Sequence, residues 1–270
     1  YDLLSINSGS TPNTALVQGA TVNVVPVKPI NRFLVNWESL KERVLKHEGT
    51  MRIAVVGAGA GGTEILLAIQ YRLEELLNEE GKNKNNLRYF LFNQAAEILP
   101  THNRNVRKCF ERVLTDRKVK IYTGDSIVEV SASKIKTANG AKFEVDEILW
   151  VTAAGAPSWP AEATLQVDKK GFIQIKNTLQ SVSHPNIFAA GDIATMLDNP
   201  RPKSGVFAVR QGKPLARNLR RMLLGKKLIP FKPQTSFLSL ISTGDKFAVA
   251  SRRNFFIKGR AVWYWKDWID

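Results

Sequence analysis

The chain has 270 residues, of which 44% are hydrophobic, so it is long enough to bury a sizeable core in one or two domains. No apolar run approaches the ~20 residues of a transmembrane helix and the start has no signal-peptide pattern, which predicts a cytoplasmic protein, at most peripheral to a membrane. The net charge of +15 would suit nucleic-acid binding, but Lys and Arg are spread along the whole chain, so a basic surface that attracts anionic dinucleotides is favoured.

Cysteine and histidine restrict the chemistry further. Cys109 is the only cysteine of the sequence, which excludes a CxxC pair within these residues and fits a reducing compartment. It lies in a helical-looking stretch, so a packed thiol is favoured over a reactive one. His47, His102 and His184 are scattered without metal-ligand spacing, and we expect no metal site.

The sequence predicts a strand, a linker, a helix and a βαβ unit in the first half of the chain. Residues 1–10 run from an apolar strand into a turn of small residues, and a linker containing proline and glycine follows. Apolar residues at helical spacing predict a helix over Asn31–Glu48. Strand, glycine turn, helix and strand are then predicted at Arg52–Val56, Gly57–Gly62, Glu64–Asn78 and Leu87–Asn93.

The next part alternates helical segments with short strands. A helix is predicted near Asn103–Thr115 and an apolar run covers Glu147–Thr152. The short strands between them are predicted at Val119–Thr123, Ser126–Val130, Lys134–Thr137 and Lys142–Val145. This pattern favours an antiparallel meander attached to a parallel sheet.

The last part is predicted to be strand-rich after one more helix. A strand at Phe172–Ile175, the apolar strand Ile187–Ala190 and a helix at Gly205–Leu224 come first. From Pro230 strands dominate, and alternation along a final strand would send Trp263 and Trp265 to one face. Core packing, a membrane interface and a domain contact all remain open for these aromatic residues.

Gly57, Gly59 and Gly62 form a G-x-G-x-x-G sequence directly after a strand and directly before a helix. In this context Gly57 permits a tight turn, Gly59 lets the backbone approach a pyrophosphate, and Gly62 lets the helix pack on the strand. The helix N-terminus offers free N–H groups to phosphate oxygens, so the motif predicts a dinucleotide site. Glu64, early in the helix, either helps to orient a nicotinamide or is a first-turn acid that favours the helix dipole.

The strand after this helix ends without the acid that favours NAD. A carboxylate at that position accepts a hydrogen bond from the ribose 2′-hydroxyl and repels a 2′-phosphate. Here the strand ends in Phe92, Asn93 and Gln94, and the nearest acid is Glu97. The choice between NADH and NADPH is therefore left open.

Asp192 follows an apolar strand at its carboxyl end. An aspartate there is costly unless it accepts hydrogen bonds, which the sugar or ribityl hydroxyls of a ligand would supply. A turn carboxylate that caps the next helix fits the local sequence equally well.

Three further segments, taken together with the glycine motif, resemble the pyridine nucleotide-disulfide oxidoreductase family. Residues 1–10 resemble the strand and "ATGS"-type turn that closes the first half of the flavin domain. Residues 150–155 resemble the second crossover, where the chain leaves the NAD domain. Residues 186–194 resemble the "IFAAGD" motif, whose aspartate holds the flavin ribityl chain. The segments occur in the family's order and span nearly the whole chain.

The resemblance implies an α/β fold with two Rossmann-like dinucleotide-binding domains, each three-layered with a parallel sheet and an antiparallel β-meander. The FAD domain would be incomplete, and a strand-rich C-terminal segment would follow. The implied parts are 1–24 (end of the first FAD segment and linker), 25–150 (NAD(P)H domain), 151–228 (second FAD segment) and 229–270 (C-terminal β-rich interface). Roughly 100 residues that bind the flavin ADP portion should precede Tyr1, so these residues alone should bind flavin poorly.

FAD and NADH or NADPH are the implied cofactors. Their binding residues would be Ser8, Gly9, Gly57, Gly59, Gly62, Glu64, Gly155, Gly191 and Asp192. No catalytic side chain is needed for hydride transfer, because the isoalloxazine carries that chemistry.

Three segments in the C-terminal part of the chain resemble a particular subgroup of this family. Residues 201–219, 237–245 and 259–270 resemble type II NADH dehydrogenases and the related domain fused in front of selenophosphate synthetase. This implies an oxidoreductase that passes hydride from NAD(P)H to flavin and on to a small-molecule acceptor within a bifunctional protein. The quinone-associated glutamines would align near Val206 and Arg210, which argues against quinone, and the lack of a cysteine pair argues against thiol relays. A homodimer stays open.

Two other classes of function are kept as alternatives. One is a redox-silent module that senses the dinucleotide or docks a partner through its C-terminal aromatic residues. The other is a nucleic-acid binder, whose retention on a polyanion would depend steeply on salt. Flavin bleaching by NAD(P)H distinguishes the enzyme from both.

Overall fold

The computed structural model describes residues 1–152 and 154–269; Ala153, in the crossover segment, and Asp270, in the closing segment, lie outside the described residues. The helices are α1 (Ala20–Asn23), α2 (Ile30–Lys46), α3 (Ala60–Glu79), α4 (Arg104–Asp116), α5 (Trp159–Glu162), α6 (Gly205–Leu223) and α7 (Arg260–Ile269). The strands are β1 (Leu4–Ile6), β2 (Thr11–Pro12), β3 (Val25–Pro26), β4 (Met51–Val56), β5 (Leu87–Asn93), β6 (Lys120–Thr123), β7 (Ile127–Val130), β8 (Lys134–Thr137), β9 (Lys142–Glu144), β10 (Glu147–Trp150), β11 (Ala154–Gly155), β12 (Ile173–Ile175), β13 (Ile187–Ala189), β14 (Ala194–Met196), β15 (Ser239–Ser242), β16 (Ala248–Arg252) and β17 (Phe255–Gly259). Over these residues, no helix has the length and apolar content needed to cross a membrane.

The chain divides into two compact units, of which residues 14–152 and 238–269 form the sheet unit. Its centre is a five-stranded parallel sheet in the order β3-β10-β4-β5-β6. Three consecutive residues of β4, Ile53, Ala54 and Val55, have no exposed surface. Burial of every residue, on both faces, is expected of a central parallel strand, and it explains why β4 reads as a continuous apolar run.

The periphery of the sheet unit differs from the prediction at two strands. β7, β8 and β9 form the predicted antiparallel meander, but β6, which was assigned to it, pairs in parallel with β5. β3 pairs in parallel with β10 within the segment read as a linker. A two-residue strand that contains proline carries no alternation, so β3 left no periodic signal.

Residues 1–13 and 154–237 form the flavin unit, so named for its resemblance. β1 pairs in parallel with β13, with Leu4 opposite Ile187, and β12 pairs in parallel with β14. Ile6, Ile173 and Phe188 belong to the buried core of this unit. The predicted N-terminal strand is therefore confirmed, and the structure adds that it pairs with the strand that precedes Asp192.

The C-terminal segment combines a three-stranded antiparallel sheet, β15-β16-β17, with α7. The prediction of a final strand is wrong, because Arg260–Ile269 is helical. Trp263 packs against a small core beside buried Val262, whereas Trp265 is 42% exposed, so the two tryptophans do not share a face. The aromatic residues gave the segment a strand-like composition that concealed its helical pattern.

Candidate functional site

The glycine turn lies at the carboxyl end of β4. The N–H of Gly57 donates to the carbonyl of Phe92 in β5 (2.8 Å), and the carbonyl of Ala58 accepts the N–H of Leu99 (2.8 Å). These bonds fix the turn to the neighbouring strand and to the loop beyond it. The N-terminus of α3, which begins at Ala60, is thereby held at the sheet edge where ligands of parallel α/β sheets bind.

Two of the three predicted glycines are required by sterics. A Cβ on Gly62 would lie 1.7 Å from the carbonyl oxygen of Gly57, and a Cβ on Gly57 would lie 2.5 Å from that of Val151. Gly57 also has a φ of 111°, which side-chain-bearing residues rarely adopt. The Cβ position of Gly59, by contrast, has no atom within 4 Å. Gly59 therefore leaves the open space that a closely approaching pyrophosphate needs.

Asn93 is the last residue of β5, the position where an acid would bind the ribose of NAD. Its Oδ1 accepts the N–H of Ala58 (3.2 Å) and its Nδ2 donates to the carbonyl of Glu97 (2.7 Å). The Glu97 carboxylate is paired with Arg107, with 3.2 Å between Oε2 and Nε. Asn93 thus joins the glycine turn to the loop after β5, a role that sequence reasoning missed because the partners are backbone groups.

Glu64 lies in the second turn of α3, so its interpretation as a first-turn acid is wrong. Its Oε1 accepts the N–H of Ser242 in β15 (2.8 Å) and lies 3.6 Å from Nζ of Lys266 in α7. One carboxylate therefore ties the glycine helix to the sheet and to the helix of the C-terminal segment. Its role toward nicotinamide stays a prediction.

We expect Glu64→Ala to lower the free energy of unfolding by about 1.5–3 kcal/mol, because a hydrogen bond to a charged group is lost together with a partly buried ion pair. Amide hydrogen exchange at Ser242 should accelerate in this variant. In Glu64→Gln, whose side-chain oxygen still accepts, the amide should stay protected. Unchanged exchange in Glu64→Ala would contradict the tie, and NADH affinity of the same variants tests the nicotinamide role separately.

In the flavin unit, Asp192 follows β13 within the short 3-10 helix Gly191–Ile193. The hydroxyl of Ser10 donates to Oδ2 of Asp192 (3.2 Å). Because β1 and β13 are parallel neighbours, the turns that follow them lie side by side. The N-cap of the short helix is Ala190, so Asp192 is not its capping residue. The structure thus brings together two turns that are far apart in sequence.

Gly191 is held from α6 by a residue that sequence reasoning missed. Oε1 of Gln211 accepts the N–H of Gly191 (2.7 Å). Gly191 has a φ of 74°, and a Cβ there would lie 2.5 Å from Oδ1 of Asn7. Gln211 is buried one helical turn after buried Phe207. The sequence did contain a signal for Gln211, because this polar residue lies on the apolar face of an amphipathic helix, where a buried side chain needs a hydrogen-bond partner.

The other predicted residues of the flavin unit lie in two short segments. Ser8 is exposed, and Gly9 has a φ of 75° with no atom within 4 Å of its Cβ position. Gly155 in β11 is opposite Thr11 in β2, and a Cβ there would lie 2.9 Å from Cβ of Asn13. Gly9 therefore allows the turn and Gly155 the close strand pairing, while their contact with flavin stays a prediction.

A cavity beside Asp192 opens at the N-terminus of α6 and includes Arg201 and Lys203 in its lining. Nε of Arg201 is shielded from solvent and has no hydrogen-bond partner within the described part of the chain. Acidic Asp192, basic Lys203 and an N–H group left without an acceptor suit a polar ligand that both donates and accepts hydrogen bonds.

Lys203 is the most perturbed base of this cavity. Its Nζ donates to the carbonyl of Ala194 (2.5 Å) and to the hydroxyl of Thr195 (2.8 Å), and it lies 3.9 Å from the ring centroid of Phe172. Burial lowers the pKa of Lys203 to about 8, and the nearby carboxylate of Asp168 opposes this shift only in part. Its charge therefore changes in the mildly alkaline range.

Cys109 is half-buried on α4 and packs against the main core of the sheet unit. Burial raises the pKa of its thiol, and the positive charges of Lys258 and Arg112 reverse the shift only in part. A raised pKa keeps the sulfur protonated and unreactive. The packed-thiol interpretation is thus supported.

The fold and these turns define an α/β protein with Rossmann-like dinucleotide-binding architecture. The sequence profile described as "Pyridine nucleotide-disulphide oxidoreductase" matches residues 1–212. Because the match covers more than half of the chain, the chain belongs to this family.

Curated relatives include type II NADH:quinone oxidoreductases of Staphylococcus aureus. The chain is 25% identical to one of them over 248 residues, which are 86% of this chain and 61% of the relative. The chain therefore spans about three fifths of the length of the curated relatives it matches.

Solved structures resemble most or all of this chain in fold. The Plasmodium falciparum NDH2 structure in complex with NADH has a TM-score of 0.75 at 16% identity, covering 100% of this chain and 73% of that chain. The sulfide:quinone oxidoreductase of Aquifex aeolicus has a TM-score of 0.79 at 15% identity, covering 100% and 67%. The water-forming NADH oxidase of Lactobacillus brevis bound to NADH has a TM-score of 0.70 at 21% identity, covering 93% and 52%. At these identities the likeness establishes the fold alone.

Proposed function

We propose that this protein is an FAD-dependent NAD(P)H oxidoreductase, similar to type II NADH dehydrogenases, that passes hydride from NAD(P)H to flavin and on to a small-molecule acceptor. The observation that carries the proposal is the glycine turn. Gly57 and Gly62 cannot bear a side chain, whereas Gly59 could, yet opens onto free space at a helix N-terminus. Such a turn fits a pyrophosphate and has no packing requirement for the middle glycine.

The cofactors of the proposal are FAD and NADH or NADPH. In the sheet unit, the N–H groups at the start of α3 would bind the dinucleotide phosphates, with Asn93 holding the turn in place. In the flavin unit, Asp192 would accept hydrogen bonds from ribityl hydroxyls, with Ser10 and Gln211 fixing its turn. When bound, the isoalloxazine supplies the two-electron chemistry, so the protein's part is to bind, orient and shield.

The acceptor is proposed only as a small molecule. Relatives are described as quinone oxidoreductases, but neither Val206 nor Arg210 supplies the glutamine expected there. The fusion to selenophosphate synthetase is proposed from the resemblance of the tail, and sequencing of the reading frame beyond Asp270 tests it.

The proposed location is the cytoplasm, with at most a peripheral membrane contact, and fractionation of a lysate checks it. Sedimentation analysis tests whether the protein forms a homodimer.

An anaerobic titration of the full-length protein with NADH and then NADPH tests the function. We expect stoichiometric bleaching of the flavin absorbance by at least one of the two donors. The more effective donor names the nucleotide preference that Asn93 leaves undecided.

Flavin that stays oxidised with both donors would overturn the hydride mechanism. If the nucleotides still bind, the redox-silent sensor is favoured. If neither binds and the protein is retained on a polyanion in a salt-dependent way, the nucleic-acid alternative is favoured.

A further inference from the structure

The positive charge of the chain is concentrated where acidic residues are missing. Between residues 199 and 244 there are ten Lys and Arg and no Asp or Glu, so this stretch carries ten of the fifteen net charges. The basic residues are indeed spread along the sequence, but the acidic ones that would balance them are not. The surface of α6 and of the segment after it is therefore strongly cationic.

This surface contains a cavity of about 230 Å³ between α6 and residues 229–232. Its lining includes three exposed cations, Lys213, Arg217 and Lys232, none of which forms an ion pair with any described residue. Pro214, Ile229, Pro230 and Phe231 supply apolar walls. The cavity is separate from the one beside Asp192, whose lining shares no residue with it.

Asn218 builds the cavity by tying its two walls together. From α6, its Nδ2 donates to the carbonyls of Thr178 (2.9 Å) and Ile229 (2.8 Å). Its Oδ1 accepts the N–H of Ile229 (2.9 Å), and the N–H of Phe231 donates to the carbonyl of Asn177 (2.8 Å). Asn218 is 1% exposed, and its side-chain amide holds residues 229–232 against α6. A wall fixed by several hydrogen bonds makes a pre-formed cavity.

We propose that this cavity binds a small organic phosphate, a phosphomonoester or diphosphate with a compact apolar or aromatic body. Three cations in the lining of one cavity match the double charge of a phosphate group better than the single charge of a carboxylate. The apolar walls would cover the body of the ligand. A concave site of this volume favours a small molecule over nucleic acid or a lipid surface, since both of these contact cations spread over wide faces.

The test is isothermal titration calorimetry of the purified full-length protein with phenyl phosphate and with pyrophosphate at constant ionic strength. We expect saturable binding of one molecule per chain. Removal of the lining charges, in the triple variant Lys213→Gln, Arg217→Gln and Lys232→Gln, should weaken it at least ten-fold. Ile229→Ser, which alters an apolar wall, should weaken phenyl phosphate more than pyrophosphate.

A matched control removes the same charge outside the cavity, in the triple variant Arg220→Gln, Lys226→Gln and Lys227→Gln. This control should bind phenyl phosphate normally. Equal losses in both triple variants would overturn the proposal in favour of a diffuse charge effect, and so would the absence of saturable binding. Retention of single-stranded DNA without saturable phosphate binding would assign the surface to nucleic acid instead.

The glycine turn could itself bind phosphate, and saturating NADH separates the two sites. Binding at the cavity should persist in the presence of NADH. Phosphate that NADH displaces completely lies at the glycine turn, a result that would overturn the cavity and support the dinucleotide site. If the protein binds phosphate but does not bind NADH, the result would support the cavity and overturn the dinucleotide site.

Discussion

Gly59→Ala is expected to weaken NADH binding at least ten-fold while leaving the fold intact. The backbone of Gly59 has a φ of −73°, which alanine adopts without strain, and the added methyl group meets no protein atom within 4 Å. The methyl group would occupy only the space that a pyrophosphate needs. Fluorescence titration with NADH and the midpoint of urea unfolding measure the two effects on the same sample.

Two neighbouring glycines serve as controls for this substitution. Gly61→Ala adds the same methyl group inside the first turn of α3, 3.9 Å from the nearest side-chain atom of Val151, and should bind NADH normally. Gly62→Ala collides with the carbonyl of Gly57 and should cost about 3 kcal/mol of stability or prevent folding. Normal NADH binding by Gly59→Ala would mean that the turn does not hold the pyrophosphate.

The second large effect is expected for Asp192→Asn, which should lose most of its FAD. The substitution keeps the shape of the side chain but replaces an acceptor oxygen by a donor group and removes the charge. Loss of a hydrogen bond to a charged group is worth about 1.5–3 kcal/mol, which corresponds to roughly 10- to 150-fold in the dissociation constant. FAD content after gel filtration and the Kd from reconstitution of the apoprotein measure it.

Asp198→Asn is the matched control, since it removes one negative charge from an exposed position six residues away. It should keep its FAD. Full FAD content in Asp192→Asn would exclude the ribityl role of Asp192. The pairing with Ser10 would then be a purely structural contact between two turns.

The parts of the site that depend on local geometry could be predicted from the sequence. Gly57 and Gly62 were assigned from their spacing, and the structure gives the collisions that make both glycines necessary. A tight turn between a strand and a helix limits which residues fit within a few positions, so six residues carry most of the information. The central strands β4 and β5 could be predicted equally well, because each contains four consecutive buried residues that form an apolar run.

The parts that depend on distant partners could not be predicted from local sequence. Ser10 and Asp192 were associated only through the family resemblance, since nothing in either segment specifies the other. Asn93 and Gln211 look like ordinary polar residues until their backbone partners are known. In α7, the composition suggested a strand, whereas the helix is covered on the side of Val262. Tertiary contacts override such local preferences.

The pairing of β1 with β13 also fixes an order of events at the ribosome. Leu4 and Ile187 are opposite each other across the parallel pair. At about 5–20 residues per second, the partner strand of β1 is synthesised roughly 10–40 seconds after β1 itself. All five strands of the parallel sheet are made within that interval. The pair of β1 and β13 in the flavin unit can therefore form only after the sheet that interrupts this unit has been translated.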